Sequence, residues 1–235
     1  MKLLFVDPTL RQKAIAIHSR LCELYGCPIP YFHTLDPLSE LVSSLLSHRT
    51  KNHASGQAFK QLRSRFPTWA AVRDAPTEEV EQAIAPCTWP EQKAPRIQAV
   101  LRLVGDRTQG HWSLEFLKDM PVDDARAWLE ALPGVGPKTS AAVLCFSHLR
   151  LRALPVDSHH HRVAQRVGLL SEKVAVGPSH EELAALLPDD WAAQQVYDHH
   201  EVMMLHGQKC CFYRRPACDR CPLTAQCRYY QQQSN

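Results

Sequence analysis

The sequence has no apolar run approaching the roughly 20 residues that a bilayer-spanning helix needs, so no membrane segment is expected. It has little excess charge: 27 Lys and Arg against 24 Asp and Glu leave a net of +3. That excludes a polycation and confines any nucleic-acid surface to a local patch. The opening stretch, MKLLFVDPTLRQ, has four apolar residues before Asp7-Pro8, too short for the apolar region of a secretory leader. Strand patterning, internal repeats and long linkers are also missing; LRALPVD is at most a short extended connector. The expectation is an intracellular chain in a reducing compartment, where cysteines stay unpaired.

What is present is helical periodicity. Residues 9–25 place Leu10, Ala14, Ile17, Leu21 and Leu24 at helical spacing, and Gly26 ends the run. Asp36-Pro37 is an N-cap followed by an N1 proline, predicting a helix over 36–47. TEEVEQAIAP, with Thr77 as cap and Pro86 as stop, PEQKAPRIQAVLRLVG and PVDDARAWLEAL continue the theme. GPKTSAAVLCFSHL, DSHHHRVAQRVGLL, SHEELAALL and DDWAAQQVYDHHEVMMLHG follow it. The chain is long enough for one large domain or two small ones, and its class is all-α. Only the tail, YYQQQSN, reads as unstructured.

Five of the nine cysteines fall within residues 210–227. Cys211, Cys218, Cys221 and Cys227 have the spacing C-x6-C-x2-C-x5-C, with only one tight pair. Zinc sites more often join two tight pairs, whereas looser spacing suits the wider corners of an iron–sulfur cubane; both metals stay open at this point. Cys210 offers a competing register. Cys22, Cys27, Cys87 and Cys145 are scattered and read as small buried residues. Between the first two candidate ligands, Arg214 and Arg215 are either a phosphate contact or two solvated arginines.

LPGVGPKTS, residues 132–140, cannot continue a helix through Pro133, Gly134 and Gly136. Pro137 then suits the first position of a new helix, with Lys138 second. The product is a helix–hairpin–helix whose bare N–H groups form an anion site. A helix N-terminus repels a cation, and that repulsion favours the neutral, nucleophilic amine. Nineteen residues on, Asp157 is an N-cap, a base or partner for Lys138, or both. His159, His160 and His161 point about 100° apart on a helix and cannot converge on one metal; one of them facing a cleft is the better reading.

Together, LEALPGVGPKTSAAVL, PVDSHHHRV, LHGQKCC and the cysteine spacing closely resemble the endonuclease III family over residues 10–228. The resemblance implies two helical domains with a DNA-binding cleft between them. Residues 30–151 would form a six-helix domain ending in the hairpin, and residues 1–29 with 152–235 the iron–sulfur domain. It implies a [4Fe–4S] cluster on Cys211, Cys218, Cys221 and Cys227, a position after LHGQKC that selects Cys211 over Cys210. It implies Lys138 as the Schiff-base nucleophile and Asp157 as the catalytic aspartate of a bifunctional DNA glycosylase/abasic-site lyase. The partner would be duplex DNA carrying damaged pyrimidines or abasic sites, bound by a monomer in the cytoplasm at the nucleoid. DNA contacts fall on the hairpin residues Gly134, Val135, Gly136 and Thr139, on Ser47, His159, Arg214 and Arg215, and on two wedge loops. In the loops Arg49 stands where glutamine is usual, Asn52 where aspartate is common, and Trp89 where a smaller apolar residue is usual. Trp89 stacks on bases or is merely half-buried.

Three other readings compete. An adenine or mismatch glycosylase of the same superfamily would lack the lysine or carry a further C-terminal domain. A non-catalytic DNA-binding module does not need Lys138 with Asp157. A ferredoxin-like carrier does not need so large a helical body.

Overall fold

The structure, a computed structural model, describes residues 7–233. Among them there are helices and loops and no strand. The α-helices are α1 (Pro8–Tyr25), α2 (Pro37–Ser47), α3 (Asn52–Arg65), α4 (Trp69–Asp74), α5 (Thr77–Ala83), α6 (Pro90–Arg107), α7 (Val122–Glu130), α8 (Pro137–Phe146), α9 (Ser158–Val167), α10 (Val176–Leu186), α11 (Ala193–Lys209) and α12 (Arg228–Gln233). No described helix is long and apolar enough to cross a membrane.

Capping chemistry sets several boundaries. Asp7 accepts the Thr9 N–H at 2.8 Å ahead of Pro8, and Gly26, at φ 81°, closes α1 on the Cys22 carbonyl at 2.8 Å. Asp36 accepts N–H groups of Leu38 and Ser39 at 3.1 and 2.9 Å. Thr77 does not cap α5: Pro76 holds that position, and the Thr77 hydroxyl donates to Gln98 Oε1 at 2.8 Å. The tail expected to be unstructured is helical through Gln233, and its last two residues lie outside the described range.

The chain divides into two compact units, residues 33–151 and residues 7–32 with 152–233. The first boundary falls three residues later than the sequence placed it, after Phe32. The 33–151 unit contains seven α-helices, α2 to α8, rather than six. Of these, α3 and the short α4 are not evident in the sequence; α3 buries only Ser55, Ala58 and Leu62, a stripe too small and polar to stand out. In this unit α2 packs on α3, α6 and α8, while α4 and α5 pack on α6. Leu41, Leu45, Ile97, Leu101 and Leu144 are fully or almost fully buried there.

In the other unit, α1, α9, α10 and α11 share a core of Ile17, Leu21, Val163, Leu183, Val202 and Met203. Cys22 and Cys27 are neither reduced nor fully buried, as had been expected. They form a disulfide across the turn at Gly26, with Cα atoms 5.0 Å apart, because the left-handed glycine folds the chain back on the last turn of α1. Cys87 and Cys145 are buried thiols. In this core α11 packs tightly on α9: a Cβ on Gly207 would stand 2.8 Å from His159 Cβ and 3.1 Å from the His159 carbonyl.

Two predictions follow from this core. Gly207→Ala forces α9 and α11 apart and should cost about 1–3 kcal/mol in denaturant unfolding; an unchanged midpoint would contradict the close packing. The fully buried rings of His160 and His199 lie 5.3 Å apart. Desolvation, then neighbouring histidines, holds both below the ordinary value of 6.5, His199 at about 3. The unfolded chain takes up protons that the folded chain refuses, so stability is present above pH 6.5 and falls as the pH drops toward 3. Unfolding measured across this range should show the slope, and it should weaken in His160→Leu, which removes two buried ring nitrogens without hydrogen-bond partners.

Candidate active site and thiol-lined cavity

The hairpin between α7 and α8 is built by its glycines. Gly134 lies at φ 79°, and a Cβ there would meet Arg96 Cδ at 2.5 Å, so the glycine admits both the turn and the arginine lying over it. The Val135 N–H is spent on the Leu132 carbonyl at 3.2 Å and its side chain is buried. Any anion contact by hairpin amides therefore falls to Gly134 and Gly136 rather than Val135. Gly136 precedes α8, which has no side-chain cap, and Pro137 is its first residue. Lys138 is the second helical residue and is half-buried. Thr139 is 3% exposed, and its hydroxyl is 2.9 Å from His48 Nε2. That contact ties the first turn of α8 to the end of α2.

From Thr139 to Phe146 every residue of α8 is buried. The helix packs on α2, which brings Glu40 and His48 into the electrostatic surroundings of Lys138. Burial pushes the His48 ring down to about 4, with Lys138, Lys93 and Arg96 adding to the effect, so it is neutral near pH 7. Burial pushes the Glu40 carboxyl up to about 7, against the Ser44 hydroxyl, Lys138 and Arg150. The sequence reading missed both residues. The available signal was a lone carboxylate among Leu38, Leu41, Val42 and Leu45.

Arg49 and Trp89 come together. Lys93, itself buried, donates to the Leu46 and His48 carbonyls and to Thr50 Oγ1 at 2.7, 2.9 and 2.7 Å, tying down the loop that carries Arg49. Arg49 and Trp89 both adopt left-handed backbone, φ 51° and 54°, and the guanidinium lies 5.9 Å from the indole centroid. Such conformations cost about 1–3 kcal/mol at a non-glycine residue and gather at functional sites. Both side chains are exposed, Trp89 by 45%. Ser47 instead turns its hydroxyl inward to the Ser44 carbonyl at 2.7 Å.

In the other unit, Asp157 caps α9, accepting the His160 N–H at 2.7 Å. The three histidines diverge: His159 contacts Arg162 at 3.0 Å, His160 is buried, and His161 reaches the Val174 carbonyl at 2.8 Å. Arg162 and Arg166, one turn apart on α9, then organise the cysteine loop. Arg162 donates to the Cys211 carbonyl at 3.0 Å, and Arg166 to the Phe212 and Tyr213 carbonyls at 2.6 and 2.9 Å. Arg214 and Arg215 are exposed on that loop.

Cys211, Cys218, Cys221 and Cys227 are free thiols lining one cavity. Among the described residues, no three of these sulfurs lie within 4.8 Å of one another. A single tetrahedral zinc with Zn–S bonds of about 2.3 Å needs sulfurs about 3.8 Å apart. Four thiols around one cavity are a donor set for a metal centre. A tighter group, His206, Cys210 and Cys221, shares one cysteine with it. The two registers differ in their partners: Arg166 Nη1 donates to the Cys211 sulfur at 3.3 Å, whereas Cys210 is buried and gives its thiol to the Ala217 carbonyl at 3.4 Å. Burial raises Cys221 to about 12, so a cation must draw off its proton if it is to ligate. Tyr25 contacts His206 Nδ1 at 3.3 Å, and His206 Nε2 contacts the Cys221 sulfur at 3.5 Å.

Residues 42–192 match the family described as HhH-GPD superfamily base excision DNA repair protein. The chain is similar to endonuclease III of Thermotoga maritima, 30% identical over 83% of this chain and 84% of that protein. It is also 30% identical, over 84% of its length, to a DNA glycosylase-like protein of Arabidopsis thaliana, of which it spans 65%. Its fold is similar to that of a trapped endonuclease III–DNA covalent intermediate, with TM-score 0.79 and 24% identity, covering 96% of this chain and 99% of that one.

Proposed function

The chain belongs to the endonuclease III family of HhH-GPD superfamily base excision DNA repair proteins and is a DNA glycosylase/abasic-site lyase, and we propose that it excises oxidised pyrimidines through an imine on Lys138. The observation that carries the mechanism is the placement of Lys138 in the first turn of an otherwise buried, uncapped helix, directly after the glycine hairpin. The damaged nucleotide leaves the stack, since its C1′ is unreachable within the duplex. The neutral Lys138 amine attacks C1′ and the base departs; the C1′–O4′ bond then opens, with a proton passing to O4′, to leave an imine that acidifies the 2′ hydrogens. Loss of a 2′ proton then breaks the 3′ C–O bond by β-elimination.

Gly134 and Gly136 are suited to hold a backbone phosphate through their amides. Asp157, besides capping α9, is the catalytic aspartate that the family resemblance implies, helping to make Lys138 neutral for attack. Arg49 and Trp89 are the proposed fillers of the space left by the extruded nucleotide, with the indole stacking on a base and the guanidinium bonding the orphaned partner. Arg214, Arg215 and His159 remain proposed backbone contacts. The four-cysteine set would hold a [4Fe–4S] cluster, which when bound cross-links the loop between α11 and α12 and takes no part in bond cleavage. A monomer working inside the cell, where its DNA is, completes the proposal.

Borohydride reduction in the presence of duplex DNA with an abasic site should trap a covalent adduct, absent in Lys138→Ala. Failure of folded, metal-loaded protein to form the adduct would sink the lyase mechanism. Asp157→Asn should keep DNA binding and lose about 10²-fold or more in base release; near-normal release would leave Asp157 as a cap only. Purified protein should be brown with about four irons per chain; zinc in their place would refute the cluster.

A further inference from the structure

His206 lies in the last turn of α11, and Cys210 is the C-cap of that helix. The His206 carbonyl accepts the N–H groups of Cys210 and Cys211 at 3.0 and 2.8 Å, which closes the turn and sets Cys210 against His206. The loop beyond α11 then returns Cys221 to the pair. His206 Nε2, the Cys210 sulfur and the Cys221 sulfur all lie within 4.8 Å of one another, and His206 and Cys210 are buried.

These distances have the scale of a single ion. With Zn–N of about 2.1 Å and Zn–S of about 2.3 Å, tetrahedral angles put a nitrogen about 3.5 Å from a sulfur. His206 Nε2 lies 3.5 Å from the Cys221 sulfur. The imidazole is also oriented as a ligand needs. Tyr25 Oη contacts Nδ1 at 3.3 Å, so the ring proton can sit on Nδ1 and leave the Nε2 lone pair facing Cys221. One imidazole and two thiolates are a donor set for zinc, with the fourth position left to water. The four-cysteine set uses neither His206 nor Cys210, yet all of these residues line the same cavity, and Cys221 belongs to both groups.

We propose that His206, Cys210 and Cys221 bind one zinc ion when the four-cysteine set carries no cluster, and that ion and cluster exclude one another because both need Cys221. The inference rests on the cluster reading above for that exclusion alone. On binding, the S–H bonds of Cys210 and Cys221 break, Zn–S bonds to both and a Zn–N bond to His206 form, and the thiol protons pass to solvent. Cys210 gives up its bond to the Ala217 carbonyl. The ion pins the loop to the end of α11, so a chain without its cluster keeps that loop in place.

The test uses the full chain, stripped of metal in oxygen-free buffer and checked by circular dichroism, with cobalt(II) as the spectroscopic stand-in for zinc. If the stripped chain unfolds, cobalt added during refolding is read in the same way. Wild type should take up about one cobalt per chain, with the visible bands of a tetrahedral site and a thiolate charge-transfer band for two sulfurs, and zinc should displace it. Cys210→Ala and His206→Gln should each weaken binding about 10²-fold or more, and Tyr25→Phe about 10- to 100-fold. Cys211→Ala, which breaks the four-cysteine set, should still bind cobalt with wild-type affinity. Cluster assembly should show the reverse order: brown protein from Cys210→Ala and none from Cys211→Ala. Cluster-loaded wild type should take up no cobalt. Cobalt held by four thiolates, lost in Cys211→Ala and kept in Cys210→Ala, puts the ion on the cluster cysteines and overturns the assignment. A folded chain that binds no cobalt, or cluster-loaded protein that binds it fully, overturns it as well. If Cys210→Ala does not fold, His206→Gln and Tyr25→Phe decide. Wild type that never turns brown refutes the cluster reading, a separate outcome, and the cobalt result still judges the zinc site.

Discussion

The 33–151 unit depends on the burial of α8. Every residue from Thr139 to Phe146 is removed from water, so the helix cannot slide or rotate without opening the core. Only its N-terminus, where Gly136, Pro137 and Lys138 emerge, is left to meet a ligand. That end is the positive pole of the helix, bears no side-chain cap, and is reached through a glycine turn with Arg96 lying over it. Rigidity behind the hairpin thus becomes precision at the lysine, because the amine hangs from an element that packing holds still.

The same burial governs the electrostatics. The partner of α8 is α2, and packing them brings Glu40 and His48 into dry surroundings next to cations. Desolvation moves the two groups in opposite directions, the carboxyl up to about 7 and the imidazole down to about 4. Near pH 7 the imidazole is then neutral and the carboxyl is close to its midpoint. On the far side of the same loop, Lys93 satisfies two carbonyls and a hydroxyl, and that clamp supports the left-handed backbone at Arg49.

In the other unit α9 plays the organising role. Its N-terminus is set by Asp157, its middle meets α11 at Gly207, and Arg162 and Arg166 reach out to the carbonyls of the cysteine loop. The arginines tie the loop's backbone to α9, and the thiols line one cavity there. Arg162 and Arg166 were visible in the sequence only as two cations at helical spacing. Nothing in their order said that their partners lay 45 or more residues downstream.

The sequence by itself determined what depends on local chemistry. The caps at Asp36 and Asp157, the N1 prolines at Pro37 and Pro137, the stop at Gly26 and the turn at Gly134 are all decided within a few residues. The cysteine spacing and the lysine after the hairpin were legible for the same reason. The tertiary structure alone decided which side chains lose their water and which distant groups share it. Val135 and Thr139 turned inward, Cys22 closed on Cys27, Arg49 met Trp89, and Glu40 was sealed beside the surroundings of Lys138. Desolvation and charge act through space and not along the chain. A carboxyl on α2 is therefore shifted by its burial and by charges such as Lys138, nearly a hundred residues away in the sequence.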